Sequence, residues 1–317
     1  MILKEFRNNF NDQLSGIYPK TEVDTFFFLL IEEYLNLQRI DVSLQPNFEV
    51  NEEKRTILQL AVERLLKEEP LQYIIGKTEF YGLPFYVNEN VLIPRPETEE
   101  LIEWILTTIS SSQPDRQTGA VEKSLSILDI GTGSGCIPIT LKSHLHNTIV
   151  SAIDVSKEAL AIAQKNTELN DVQINFIQQD ILNINNLDSV IASETKQSTN
   201  RNEMLKQVQH DVKFDVIVSN PPYVRELEKE EIKKNVLDNE PHLALFVEDN
   251  NPLIFYDKIA DLAKIHLKKD GLLFFEINQY LGKETVELLK EKGFQNIELK
   301  KDLFGNDRMI KASLTNN

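Results

Sequence analysis

The chain has 317 residues, enough for one large or two ordinary domains, and its 41% apolar and 26% charged composition is that of a soluble globular protein. A formal charge of -16, from 50 acidic and 34 basic residues, argues against a protein that holds nucleic acid by neutralising phosphates and favours a basic partner. One cysteine excludes an intrachain disulfide, no Cys/His cluster has zinc-ligand spacing, and neither a signal core in Met1 to Gln13 nor a membrane-length apolar run is present, so a cytoplasmic protein without a metal is expected.

In chain order, Phe26, Phe27, Leu29, Leu30, Ile31, Tyr34 and Leu35 recur at helical spacing and predict an amphipathic helix over Glu22 to Leu37. Ile57, Leu58, Leu60, Ala61, Leu65 and Leu66 predict another over Glu53 to Lys67. Asp24, three residues after Thr21, reads as its capping partner, with a shorter acid than usual. With a further helix over Met1 to Ser15, residues 1–70 make a small helical domain that carries no catalytic constellation. It serves packing, or it is a platform for a macromolecular substrate. Pro70 ends the helical run, and Tyr73 to Ile75 and Glu79 to Val87 alternate around Gly76 and Gly82, which predicts a hairpin linker over residues 71–92. In Leu92 to Glu99 two prolines hold Arg95 in an extended loop ahead of a helix over Glu97 to Ile109. Arg95 reads as half of a surface ion pair or as a carboxylate-binding group. The polar Ser110 to Ser124 is a loop.

Residues 93–317 form the second domain, where strand and helix alternate from Leu125. Strands are expected at Ile127 to Ile130, Ile149 to Ile153, Val172 to Gln178, Phe214 to Val218, Gly271 to Ile277, Ile297 to Lys300 and Met309 to Ala312. Helices are expected at Gly135 to Ser143, Ser156 to Asn170, Pro252 to Leu267 and Lys283 to Lys292. This is an open α/β sheet, whose ligands lie beyond the carboxyl ends of its strands. The polar Asn185 to Asp211 is too long for a connection in such a fold and reads as a surface insertion.

Two strand ends carry the chemistry. Asp129-Ile130-Gly131-Thr132-Gly133-Ser134-Gly135 closes the first strand and opens its helix, where glycines let backbone approach a ligand and turn sharply. Cys136 stands where a dinucleotide fingerprint wants glycine. Asp154, 23 residues after Gly131, suits two ribose hydroxyls, and Asp180, followed by Ile181, ends the third strand where an adenine amino group would lie. Each acid alone is a loop or cap residue; together with the glycine loop they make an adenosine pocket. The apolar strand from Phe214 stops at Asn220-Pro221-Pro222-Tyr223. Proline has no N–H and fixes φ, so the carbonyls there are stiff, free acceptors, and Asn220 adds Oδ1 while Tyr223 adds a flat face. That set suits a planar group carrying NH2, an amide or a base's amine; the alternative is a plain strand-to-loop turn.

Asp129 to Gly135 with Asp154 resembles the binding loop of class I S-adenosylmethionine methyltransferases, and Asn220 to Tyr223 resembles the NPPY signature of the HemK family of protein glutamine N5-methyltransferases. The likeness extends to Pro70 to Gly76, Leu92 to Glu99, Glu240-Pro241, Ala244-Leu245, Glu276-Ile277, and Asp302 with Gly305, Asp307 and Arg308; Asn278 departs from an expected glycine. The resemblance implies a helical N-terminal domain that binds the release factor, a hairpin, and a Rossmann-like seven-stranded methyltransferase domain. It implies transfer of a methyl group from S-adenosyl-L-methionine to the glutamine of the GGQ motif in class I peptide chain release factors. By the same resemblance Gly131, Thr132, Gly133, Ser134 and Gly135 embrace the methionine part of the cofactor, with Asp129 in the same loop. Asp154 holds the ribose, Asp180 and Ile181 flank the adenine, Asn220 touches cofactor and substrate, and Pro221, Pro222 and Tyr223 complete the glutamine site.

Glutamine methylation of a ribosomal protein is the alternative within the family. A DNA adenine-N6 methyltransferase is the nearest alternative outside it, because the same motif serves any planar NH2 group, although the acidic balance weighs against it. A nicotinamide oxidoreductase fits Cys136 and the Asn220 stretch poorly, and a non-catalytic cofactor-binding module would not need both motifs.

Overall fold

The computed structural model describes residues 1–112, 124–188 and 212–314, and the chain divides into two compact units. The first comprises Met1–Lys77 with Ile232–Asn239. Its helices are α1 (Leu3–Leu14), α2 (Lys20–Leu35), α3 (Arg39–Leu44), α4 (Glu52–Leu65) and α5 (Leu71–Ile75). Their apolar faces close on Phe6, Phe10, Phe27, Leu30, Ile31, Leu58 and Leu65, with the Phe10 and Phe27 rings edge-on at 5.7 Å. Each such side chain taken from water is worth roughly 1.5–3 kcal/mol, so the periodicity that predicts these helices also supplies their core.

Two local expectations are corrected. No capping pair forms at Thr21 and Asp24: α2 starts after Pro19, which presets φ, and Asp24 Oδ1 accepts from Arg7 Nη2 at 3.1 Å. The capping box lies instead at Gln38 and Asp41, at the start of α3, a helix too short to show periodicity. Tyr73 to Ile75 is the end of α5, not a strand, and Gly76 closes it at φ 79°.

The second unit, Thr78–Glu231 with Glu240–Asn317, starts within a hairpin of β1 (Lys77–Phe80) and β2 (Leu83–Tyr86). The hairpin is more than a linker. Phe80 and Phe85 are buried with Leu101, Ile105 and Ile139, and Asn166 takes both the amide and the carbonyl of Tyr86. Then follow α6 (Pro96–Ser112), β3 (Leu125–Ile130), α7 (Cys136–His144), β4 (Thr148–Asp154), α8 (Lys157–Leu169), β5 (Asn175–Gln178), β6 (Phe214–Ser219) and β7 (Val224–Arg225). The short α9 (Lys234–Asn239) is counted with the first unit. The chain closes with α10 (His242–Leu245), β8 (Phe246–Val247), α11 (Ile254–His266), β9 (Leu267–Glu276), α12 (Gly282–Glu291), β10 (Phe294–Lys301) and β11 (Asp307–Leu314).

Seven strands form one sheet in the order β10-β11-β9-β6-β3-β4-β5; β9, β6, β3, β4 and β5 run parallel, β11 runs antiparallel to β9, and β10 runs antiparallel to β11. Alternate residues of β6 feed two cores: Ile217 packs with α11, whereas Val216 and Val218 pack with α6 and α7, and Phe214, ahead of a register shift, joins the α11 side. After β3 the chain moves outward through β4 and β5, then returns to β6 on the other side of β3. The order therefore reverses between β3 and β6, the place where such sheets open a crevice. Most of the Asn185 to Asp211 insertion, residues 189–211, lies outside the described residues, as do residues 113–123 of the predicted loop.

Candidate active site

Both motifs converge on that crevice. Ile130 and Ser219 are paired across β3 and β6, and the Ser219 hydroxyl donates to the Ile130 carbonyl at 2.6 Å. One residue further on, a Cβ added to Gly131 would lie 4.0 Å from the Asn220 carbonyl oxygen. A cavity of about 330 Å³ opens here, lined by Gly131, Thr132, Gly133 and Ser134, by Asp154, by Asp180 and Ile181, and by Asn220, Pro221 and Pro222. Its size suits a ligand of cofactor dimensions.

The glycine loop is held by its own backbone. The N–H groups of Gly131 and Thr132 donate to the Ile153 carbonyl at 2.8 and 3.0 Å, and Gly131, Gly133 and Gly135 all have positive φ, at 78°, 54° and 80°. A Cβ at Gly133 would meet no atom within 4 Å, whereas one at Gly135 would meet Ile139 and Ala163 at 3.0 and 3.1 Å. Gly133 thus bares the loop to the cavity, and Gly135 packs α7 on α8. Asp154 Oδ2 accepts from Gly133 N at 2.8 Å and Oδ1 from Ser156 N at 2.9 Å. Burial raises the Asp154 pKa, with those amides opposing the rise. Each oxygen keeps a lone pair, so the carboxylate is a fixed double acceptor for a diol.

The remaining predicted residues sit differently. Asp180 lines the cavity yet caps the 3-10 turn Ile181–Asn183: Oδ1 accepts from Leu182 N at 2.9 Å and Oδ2 from Asn183 Nδ2 at 2.6 Å. Asp129 does not line the cavity. It is fully buried, and neither its carboxylate oxygens nor the Thr132 hydroxyl has a hydrogen-bond partner among the described residues. Burial pushes Asp129 up to about 7; the nearby Thr132 hydroxyl opposes this and the Asp154 charge adds to it. Gly135 and Tyr223 also stand outside the lining. Cys136 lines the cavity as a buried thiol that desolvation pushes up to about 12, so it is no nucleophile.

Asn220 Nδ2 donates to Thr98 Oγ1 at 3.3 Å, and no donor among the described residues reaches Asn220 Oδ1 or the Pro221 carbonyl. Two acceptors therefore stand free beside the glycine loop, as the residues of the motif require.

Known proteins carry the same arrangement of sequence. The methyltransferase domain family matches residues 127–215, and the PrmC N-terminal domain family matches residues 5–76. The release factor glutamine methyltransferase of Flavobacterium psychrophilum is 49% identical over 316 residues, covering 99% of each chain. Those of Bacteroides thetaiotaomicron and Lactococcus lactis are each 40% identical, covering 95% and 82% of this chain and 96% and 83% of their own. The chain belongs to the release factor glutamine methyltransferase family. Its second unit is accordingly a class I methyltransferase fold, and the HemK-type resemblance read from the motifs holds. The matched methyltransferase domain ends at residue 215 and does not include Asn220 to Tyr223.

Within this family fold, several residues that motif reading left without a role support the Asn220 stretch. Thr98, in the first turn of α6, donates from Oγ1 to Glu276 Oε2 at 2.6 Å, and Tyr223 Oη donates to Glu276 Oε1 at 3.0 Å. Glu276 ends β9 and is 1% exposed. Burial raises its pKa, while Thr98 and Arg308 hold the rise back. Burial also keeps the Tyr223 phenol well above its usual value, with Glu276 adding to the effect. Tyr223 is thus tied by its hydroxyl to a buried carboxylate, a contact beyond the flat face read from the sequence. The signal was present in the sequence, since Glu276 lies near the carboxyl end of a predicted strand.

Asn278, where glycine was expected, is a staple. Its Nδ2 donates to the Tyr223 carbonyl at 2.9 Å and to Glu228 Oε2 at 2.8 Å, and its Oδ1 accepts from Tyr280 N at 2.9 Å. Arg95 pairs with Glu240, which is 3% exposed and also accepts from Ile93 N at 3.3 Å. This replaces the surface pair expected for Arg95: the pair clamps two edges of the cavity wall, Pro94-Arg95 and Pro241.

Proposed function

We propose that the chain transfers a methyl group from S-adenosyl-L-methionine to the side-chain amide nitrogen of the GGQ glutamine in class I peptide chain release factors. The observation that carries the reading is the junction at the β3/β6 crevice, where two unengaged acceptors, Asn220 Oδ1 and the Pro221 carbonyl, stand beside the glycine loop. The names of the relatives supply the substrate.

The residues present fit the cofactor by their donor chemistry. Asp154 offers a fixed double acceptor for the ribose hydroxyls, the Gly131–Gly135 loop leaves backbone bare toward the methionine part, and Ile181 gives an apolar wall to the adenine. Asp180 adds its unused lone pairs at that end. When bound, S-adenosyl-L-methionine supplies a methyl group on a positively charged sulfur. The chain's own residues position and polarise the acceptor. An amide nitrogen is a poor nucleophile because its lone pair is delocalised, so holding both N–H groups on Asn220 Oδ1 and the Pro221 carbonyl fixes its orientation. Those bonds strengthen as positive charge develops on nitrogen, which is the condition for lowering a barrier. The product cation is acidic enough to release its proton to water without a general base.

Incubating the protein with a class I release factor and S-adenosyl-L-methionine, followed by peptide mapping by mass spectrometry, tests the reading. One methyl on the GGQ glutamine is expected. An unmodified release factor, with cofactor bound, overturns the substrate and directs the same assay to a ribosomal protein and to DNA adenine.

A further inference from the structure

We propose that Thr98 and Glu276 are positioning residues that fix which end of the Asn220 amide faces the substrate. The inference rests on the methyl transfer assigned above to Asn220 and adds the reason its oxygen faces the cavity. An asparagine amide is nearly symmetric in shape, and rotating it by half a turn exchanges a carbonyl acceptor for an NH2 donor. The proposed reaction needs the acceptor, and backbone packing does not distinguish the two. Thr98 does. A hydroxyl has one proton, and that of Thr98 is committed to Glu276 Oε2 at 2.6 Å. Its oxygen is then available only as an acceptor, and it takes Asn220 Nδ2 at 3.3 Å. A flipped Asn220 would set two oxygens against each other with no proton between them.

The carboxylate behind Thr98 is itself held. Tyr223 Oη donates to Glu276 Oε1 at 3.0 Å, Arg308 Nη1 reaches that phenol at 3.5 Å, and Arg308 Nε donates to Asp302 Oδ2 at 3.2 Å. Thr98 is 2% and Glu276 1% exposed, so water does not compete for these bonds. Thr98 is placed by the turn before it, where its N–H donates to the Arg95 carbonyl at 3.0 Å between two fixed prolines. The direction of hydrogen bonding therefore runs one way, from Asn220 to Thr98 to Glu276.

The test is a set of full-length variants assayed by single-turnover methylation of release factor, with equilibrium binding of S-adenosyl-L-methionine alongside. Thr98→Val keeps the volume and removes the hydroxyl; its single-turnover rate constant is expected to fall by about tenfold or more, with cofactor Kd within about twofold of wild type. Thr98→Ser, which keeps the hydroxyl, is expected to stay within about threefold of wild type. In an Asn220→Ala background, Thr98→Val is expected to cost less than about twofold, because a residue that acts through Asn220 has nothing left to orient. A smaller loss in Thr98→Val, a loss in Thr98→Ser equal to that in Thr98→Val, or a full additional loss in the Asn220→Ala background overturns the positioning role. If Thr98→Val does not fold, Glu276→Gln replaces it in the same cycle with the same expected and overturning results. An Asn220→Ala enzyme as active as wild type is a separate result: it removes the site reading itself.

Discussion

Asn220 donates its nitrogen inward to Thr98, which leaves its oxygen as the acceptor that the proposed reaction uses. Replacing it by alanine is expected to lower kcat by about 100-fold or more, the scale of losing one donor from an oxyanion hole, as read by methylation of intact release factor. Tyr223→Phe separates ring from hydroxyl: Thr98 still holds Glu276, so kcat is expected to stay within several-fold of wild type. Removing one donor from a buried carboxylate is expected to cost about 1–3 kcal/mol in denaturant unfolding. Near-complete loss of turnover in that variant would place the phenol itself in the reaction. Asp129 gives a pH signature. Its folded pKa, about 7, lies above the unfolded value, so between pH 4 and 7 the folded chain holds a proton that the unfolded chain has released. Stability from this group is complete at low pH and declines by up to about 1.4 kcal/mol per pH unit across that window. Asp129→Asn is expected to flatten the profile there, and equal slopes in the two proteins would contradict the assignment.

At the scale of elements, the glycine loop joins β3 to α7 and does two different jobs within five residues. Gly133 and Gly135 both adopt positive φ, yet only at Gly135 would a Cβ collide, with Ile139 and Ala163. Gly133→Ala is expected to cost about 1 kcal/mol of backbone strain, and Gly135→Ala roughly 1–3 kcal/mol more because α7 must also move off α8. Thermal unfolding of the two variants checks the order. The motif GTGSG was legible as a ligand loop, but its spacing alone does not say which glycine faces the ligand and which faces the next helix. The same limit appears at the Asn220 stretch. Its strand and its proline stop are readable from Phe214 to Pro222, whereas Thr98 reaches it from α6, and Glu276 and Asn278 from the end of β9.

On the scale of the whole molecule, the charge of -16 and the family's protein substrate lead to one expectation. A net charge this negative would steer encounter with a basic surface on the proposed protein substrate, so raising salt from about 50 to 200 mM is expected to lower kcat/KM several-fold while kcat is unchanged. Stopped-time assays at several ionic strengths measure this, and a rate indifferent to salt would mean that apolar contact dominates docking. Among the described residues no helix is long and apolar enough to cross a membrane.

The sequence by itself determined the strand and helix rhythm from Leu125 onward, the glycine loop, the acids at Asp154 and Asp180, and the NPPY stop, because each depends on neighbours within a few positions along the chain. Helical periodicity similarly announced α2 and α4. What failed was local and short: α3 and α5 span 6 and 5 residues, less than two helical turns, and tertiary packing decides them. Only the tertiary structure decided how the site is polarised. Residues 98, 220, 223 and 276 are brought together by the return from β5 to β6 and by the docking of α6, and contacts across 53 to 178 positions of chain leave no spacing to read. The structure likewise turned Arg95 from a surface charge into a clamp on buried Glu240, and Asp129 from a ligand-loop acid into a buried carboxyl, because burial is a property of the folded whole.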